Sequence, residues 1–355
     1  MRVTTAGGAT FGRRAFLAGG LSTAATVLLA SCAAPEVEAP APTVTPQPVY
    51  TSTYIAPAPT ELAPLRGTSV PVGGLAHASI AAKIDNHEEA RPQFGLERTD
   101  IVFEELVEGG LTRYLAVWHS DLPEEIGPVR SIRPMDPDIA APYGGIICYS
   151  GGQEIFVDMM EATNVYNAIH GSSETEDTFY RTDLRDAPHD VLVLAPTVVA
   201  QHADIPAPPQ QWAYAADVAG SSAARDGSPT SLIQVTFSGE RYPAWGWDAV
   251  TGRFLRSQEG MPDLDQSGAQ LGATNVIVMR VAIDSTYGYV PKTVLVGSGE
   301  VHVSAGGRTI HGTWSKADQT SPIRLVDDRG MTIRLAAGNT WVELLPDFGA
   351  VTLTA

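Results

Sequence analysis

Cysteine is nearly absent from these 355 residues: Cys32 and Cys148 are the only two. That excludes a disulfide framework and a cysteine-built zinc site. Cys148 lies in the apolar run Gly145-Ile146-Ile147-Cys148-Tyr149, which reads as a buried, inert thiol rather than a nucleophile. Positive charge is also scarce, with 23 Lys+Arg against 40 Asp+Glu. The basic footprint of a nucleic-acid binder is therefore missing, and so is broad electrostatic adhesion to anionic lipid. Standard catalytic signatures are missing too. There is no Gly-x-Ser-x-Gly, no His-Glu-x-x-His, no phosphate-binding Gly-x-x-x-x-Gly-Lys, and no Gly-x-Gly-x-x-Gly after a strand. The eight histidines (77, 87, 119, 170, 189, 202, 302 and 311) show no metal-ligand spacing. Asp263-Leu264-Asp265-Gln266-Ser267-Gly268 opens like a calcium loop, but Thr274 stands where the bidentate Glu is needed. No metal and no cofactor is expected.

The N-terminus carries an address. Arg13-Arg14 followed by Phe16-Leu17 reads as a twin-arginine export signal in preference to general secretion. The apolar stretch behind it ends in Leu29-Ala30-Ser31-Cys32, the pattern of a bacterial lipoprotein cleavage site. Residues 1–31 are then a signal peptide, and Cys32 carries the lipid, palmitate included, that anchors the chain on the extracytoplasmic face of the cell membrane. The alternative, an uncleaved anchor from Ala15 to Ala30, falls short of the about 20 apolar residues a spanning helix needs. Losing Arg2, Arg13 and Arg14 with no acids leaves 20 basic against 40 acidic residues. Any anionic ligand must then be captured by a local arginine cluster.

Residues 32–65 hold eight of the 26 prolines and no hydrophobic period. Such a segment cannot repay its ordering entropy and reads as a semi-extended tether reaching about 100 Å. The remainder suggests an α+β fold: a mixed α/β domain over 66–202, a Pro/Ala/Ser-rich linker over 203–229, and a smaller, mostly β domain over 230–355. Strand-like runs are Ile101 to Val107, Arg113 to Trp118, Gly145 to Tyr149 and Val191 to Leu194. Further on they are Leu232 to Phe237, Asn275 to Val281, Val294 to Val296, Glu300 to Val303, Thr332 to Leu335 and Trp341 to Leu345. Ile155 to Ala168 and Pro196 to His202 read as helices, and Trp212 and Tyr214 hint that part of the linker packs back.

Gly109-Gly110 reads as a two-residue hairpin turn, which places Glu104, Leu106, Glu108 and Arg113 on one sheet face. A three-residue loop would move Arg113 to the opposite face. In Ile126-Gly127-Pro128-Val129-Arg130-Ser131-Ile132-Arg133-Pro134, a polyproline-like path puts Arg130 and Arg133 on one side as a fork for an anion. Phe179 to Asp190 adds Arg181, Arg185 and His189 in a loop before a strand. Loop charges of this kind are usually just solvated. Their concentration in one domain of an acidic chain is what sets them apart.

Several of these stretches together resemble the YerB-like bacterial lipoprotein family. The resemblance rests on Lys83-Ile84-Asp85-Asn86, Ala90-Arg91-Pro92-Gln93, Thr99 to Glu104, Val107 to Arg113, Ile126 to Arg133 and the Phe179 to His189 block. Arg253 to Arg256, Asp263 to Asp265, Thr274 to Val278 and Gly338 to Val342 extend it into the second domain. The family is a pair of domains of unknown function on bacterial surface lipoproteins, so the resemblance implies architecture and location without a reaction. It implies a recurring framework of Asp85, Asn86, Arg91, Gln93, Glu104, Glu108, Thr112, Arg113, Arg130, Ser131, Arg133, Arg181 and His189. The chain departs from the pattern at Tyr149 to Gln153, where a histidine is expected before Gly-Gly, and at His189-Asp190, where His-Asn is expected.

Two readings follow. In the first, an Arg-rich face built with Asp85, Asn86, Arg91, Arg113, Arg130, Ser131, Arg133 and Arg181 binds an anionic wall component or an envelope protein. In the second, the chain is a hydrolase or transferase of wall polymers, with His189, Glu104 or Glu108 as acid or base. The same charged residues also fit a buried structural network.

Overall fold

A computed structural model describes residues 46, 47 and 49–355; Arg13, Arg14 and Cys32 lie outside the described residues. The described fold is α+β and largely β. Its centre is an eleven-stranded sheet. Ile80–Asp85, Ile101–Leu106 and Thr112–Trp118 form its middle, and every residue in them is buried. Burial on both faces explains why apolar residues dominate these runs without a strict alternation, and why the charged groups within them, Lys83, Asp85, Glu104, Glu105 and Arg113, are buried as well.

The sheet is continuous across the chain. Thr340–Pro346 pairs in parallel with Asn275–Val281 on one side and with Ile101–Leu106 on the other. Gly297–Ala305 and Arg308–Lys316 extend the sheet beyond Asn275–Val281, and Ile146–Tyr149 and Tyr166–Ile169 extend it beyond Ile80–Asp85. Pro57–Ala355 is accordingly one compact unit. One face packs Phe103, Leu115, Ile277 and Leu344 against Phe156, Met160 and Trp314. The other packs Val102, Trp118 and Trp341 against Val193, Ile233, Trp245 and Phe254. The last three belong to a six-stranded sheet that includes Leu232–Thr236, Ala244–Asp248 and Arg253–Gln258.

Among the described residues, the Pro-rich segment holds a strand and buried side chains. Thr60–Leu62 pairs with Ser69–Pro71, and Ala63 and Leu65 are fully buried. Trp212 and Ala223 enter the core, and the Tyr214 hydroxyl donates to the Leu65 carbonyl at 2.6 Å. The short helix Ala195–Gln201 has Pro196 in its first turn, as its spacing predicts.

Three local expectations are corrected. The helix predicted over Ile155 to Ala168 is Glu154–Glu161 only, because Tyr166–Ile169 instead pairs in parallel with Ile146–Tyr149. Val294 to Val296 is not a strand; the strand begins at Gly297, where a nine-residue pairing with Arg308–Lys316 starts. Thr332 to Leu335 makes only isolated bridges, Thr332 to Val326 and Leu335 to Tyr214.

Candidate functional site

The hairpin register decides which groups meet. Val107 N donates to Leu111 O, and the loop is the three-residue turn Glu108–Gly110, with Gly109 and Gly110 both at positive φ. Glu105 therefore lies opposite Arg113, and Glu104 opposite Tyr114. The two-residue register is wrong: Arg113 faces away from Glu104. On its other side Arg113 pairs in register with Asp85. Side chains alternate across a strand, so one face collects Lys83, Asp85, Glu105 and Arg113 and the other collects Asn86, Glu104 and Thr112.

The first face opens into a cleft of about 240 Å³ lined by Asp85, Glu108, Arg113, Arg130, Arg133 and His189, with His87 and Tyr289 among the other lining residues. The segment bearing Arg130 is stitched down by backbone bonds: Asp85 N to Pro128 O, Val129 N to Val191 O, and Arg130 N to Lys83 O, at 2.8–2.9 Å. A side chain at Gly127 (φ 150°) would meet Leu192 Cδ2 at 2.7 Å and Val191 O at 2.9 Å, so only glycine passes between these elements. Asp85 Oδ2 takes Arg130 Nε at 2.9 Å and His189 Nδ1 at 2.7 Å. Arg133 Nε donates to Glu108 Oε2 at 2.8 Å.

Arg113 differs from its neighbours. Its Nη1 donates to the Ser131 carbonyl at 2.7 Å, and among the described residues no carboxylate lies within ion-pair distance of it. Burial, and then the nearby Arg133 charge, push its guanidinium down to about 10. Burial opposes ionisation of Glu108 as well, but the Arg133 hydrogen bond, a backbone hydrogen bond and the Arg133 and Arg113 charges together outweigh it and hold that carboxyl below its usual range. Beneath the cleft, Lys83 is fully buried between Glu105 and Asp136. Burial lowers its ammonium to about 8, with Asp136 pulling the other way.

Not every expected residue reaches this cleft. Glu104 is wholly buried on the opposite face, accepting from Thr112 Oγ1 at 2.6 Å and Arg256 Nη2 at 2.6 Å, so it is out of reach as acid or base. Asn86 is buried there too, donating to Thr112 Oγ1 and accepting from Arg91 Nε. Arg91 turns to Glu259 at 2.7 Å. Ser131 contributes its carbonyl, while its hydroxyl donates to Ser150 O. Arg181 is spent on Asp190 at 2.6 Å, and Arg185 on Pro92 O and Gln266. Of the calcium-like pair, Asp263 is bonded to Arg256, and Asp265 accepts from Leu96 N and Ser267 N.

Sequence reasoning missed Arg256, the pivot of the opposite face. It lies among Glu104, Asp263, Tyr114, Trp245 and Trp341, with its guanidinium carbon 5.0 Å from the Trp341 ring centre. Burial works against this cation, but Glu104 and the neighbouring anions keep its pKa well above the ordinary value. Sequence reasoning also missed a pairing at the cleft rim. His87 stacks on His189, with ring centres 4.7 Å apart and planes 22° from parallel, and Glu89 Oε2 lies 3.3 Å from His189 Nε2. The local signal was present in the spacing of Asp85, His87 and Glu89, but its partner lies in a distant loop.

Comparison with known proteins gives the lineage. The N-terminal domain of the protein family of unknown function DUF3048 matches residues 67–205, and its C-terminal domain matches residues 233–342. The chain belongs to the DUF3048 family. "Putative lipoprotein YerB" of Bacillus subtilis (strain 168) is 22% identical over 300 residues, covering 82% of this chain and 88% of that protein. The crystal structure of YerB from Bacillus subtilis superposes with a TM-score of 0.71 at 21% identity, covering 82% of this chain and 99% of the other. In DUF3048 terms, Asp85, Arg113, Arg130, Arg133 and His189 all come from the N-terminal domain, and Tyr289 comes from the C-terminal one.

Proposed function

We propose that this chain is a lipid-anchored envelope protein whose Arg113 cleft binds an anionic group, carried by a cell-wall component or by a partner protein. One observation carries the binding reading: Arg113 is about nine-tenths buried yet has no carboxylate partner among the described residues, while Arg130 and Arg133 beside it are each paired with one. A buried cation without a counter-ion is costly, and an incoming carboxylate or phosphate relieves that cost with two parallel hydrogen bonds. The anchor rests on the Cys32 motif, and a relative named as a lipoprotein supports it.

Isothermal titration of residues 33–355 with anionic wall polymer, and with a neutral glycan of equal length, tests the binding. Saturable binding of the anionic polymer alone, weakened at least tenfold by R113A, is the expected result. No binding, or binding unchanged in R113A, refutes it. The His189–Asp85 pair beside the guanidinium groups favours a second, enzymatic reading. Turnover of wall polymer that is lost in a folded H189A variant is its signature. For the anchor, C32A is expected to release the chain from the membrane fraction.

A further inference from the structure

Three side chains at the rim of the cleft, His87, Glu89 and His189, turn potential ligand atoms toward one another. Asp85 Oδ2 lies 2.7 Å from His189 Nδ1, which turns the other ring nitrogen, Nε2, outward. That nitrogen faces the Glu89 carboxylate at 3.3 Å. Either a proton on Nε2 or a bound metal cation can occupy the space between these two atoms. His87 completes the group: one ligand atom each from His87, Glu89 and His189 lies within 4.8 Å of the others.

We propose that His87, Glu89 and His189 form a binding site for a divalent transition-metal ion of the zinc type. Two imidazoles and a carboxylate suit that ion. A tetrahedral zinc, with bonds of about 2.0–2.2 Å, holds its ligand atoms about 3.3–3.6 Å apart. The His189–Glu89 separation already matches, and the half-exposed His87 and exposed Glu89 have room to close the third side. Asp85 supplies the carboxylate behind the histidine that fixes its tautomer and raises its basicity, so it is a positioning residue. Three protein ligands leave a fourth position. His87 and His189 line the same cleft as Arg113, so that position opens toward the guanidinium groups, and an anion there would bridge metal and arginine. The bridging step rests on the cleft reading above; the metal site does not.

The test is titration of untagged residues 33–355 with zinc chloride, followed by calorimetry. One equivalent is expected to bind, with H87A and E89Q each weakening it at least tenfold and D85N weakening it 10–100-fold. H311A is expected to change nothing, although His311, His302, Glu300 and Asp328 form another imidazole and carboxylate cluster. His87 and Glu89 are accessible, so their variants report even if H189A fails to fold. No zinc binding, binding indifferent to H87A and E89Q, or binding lost only in H311A overturns the proposal. So does an NMR spectrum showing His189 doubly protonated at neutral pH in the presence of zinc, since a proton would then fill the gap. Titration with inorganic phosphate in EDTA probes the Arg113 cleft without metal and separates the two readings.

Discussion

His189 Nδ1 lies 2.7 Å from Asp85 Oδ2, tying the end of a central strand to a loop 104 residues further along the chain. The same oxygen is ion-paired with Arg130 Nε, and Asp85 Oδ1 accepts the His87 backbone N–H at 3.1 Å. One carboxylate thus fixes the imidazole, the guanidinium and the turn that carries His87. Asp85 is almost fully buried, whereas Arg130 keeps about a quarter of its side chain in water. D85A is therefore expected to lower the unfolding free energy by about 3 kcal/mol, because it strands buried donors. R130A is expected to cost about 1 kcal/mol or less. Urea unfolding monitored by tryptophan fluorescence checks both, and equal losses would show that Asp85 is not the hub.

The fully buried Arg256 gives a second prediction. R256M keeps the volume but leaves Glu104 and Asp263 without their cation, which is expected to cost about 3–5 kcal/mol. Adding E104Q removes one stranded charge, so the double variant is expected to recover at least about 1 kcal/mol relative to additivity. Thermal melts of the four proteins of the cycle decide it. Simple additivity would mean that the two groups are not coupled.

How much of this was legible in the sequence depends on range. Val191–Leu194 and Asn275–Val281 read correctly because each is built on four consecutive apolar residues rich in β-branched side chains, Val191 to Leu194 and Val276 to Met279. Cys148 is wholly buried on Ile146–Tyr149, and burial pushes its thiol pKa up, in line with its apolar context. The hairpin was legible as a hairpin but not in register, since Gly109-Gly110 suits a two- or a three-residue turn and one residue of slip swaps the faces. Insertion of Thr340–Pro346 beside Ile101–Leu106 joins residues more than two hundred apart, and no local pattern encodes it. Arg256 was hidden for the same reason: its carboxylate Glu104 and its aromatic cage come from four separate strands.

Gly127 offers a contrast with Gly109. Both have positive φ, but a Cβ at Gly109 meets nothing within 4 Å, whereas one at Gly127 collides with Leu192 and the Val191 carbonyl. G109A should cost only the backbone penalty of about 1–2 kcal/mol. G127A is expected to cost more than about 2 kcal/mol and to weaken anion binding, because the displaced segment carries Arg130. Denaturation and the polymer titration together check this; anion affinity unchanged in G127A would show that the cleft tolerates movement of that segment.

The Glu97–Asp265 contact makes stability depend on pH in a window set by one carboxyl group. Partial burial, then hydrogen bonding to Asp265, raises Glu97 from 4.5 to about 7. Asp265 is held in place by the hydrogen bonds it accepts from the backbone N–H groups of Leu96 and Ser267. Below pH 4.5 Glu97 is protonated in both folded and unfolded chains, and the contact contributes fully. Between 4.5 and about 7 the unfolded chain ionises first and binds fewer protons, so stability falls as pH rises; above that window the effect levels off. Because Glu97 is partly exposed, solvent screening reduces the expected loss to about 1 kcal/mol. E97Q keeps the hydrogen-bonding amide without the titration and is expected to flatten that segment of the curve. Urea midpoints at half-unit pH steps measure it, and a slope that persists in E97Q would assign the titration to another group.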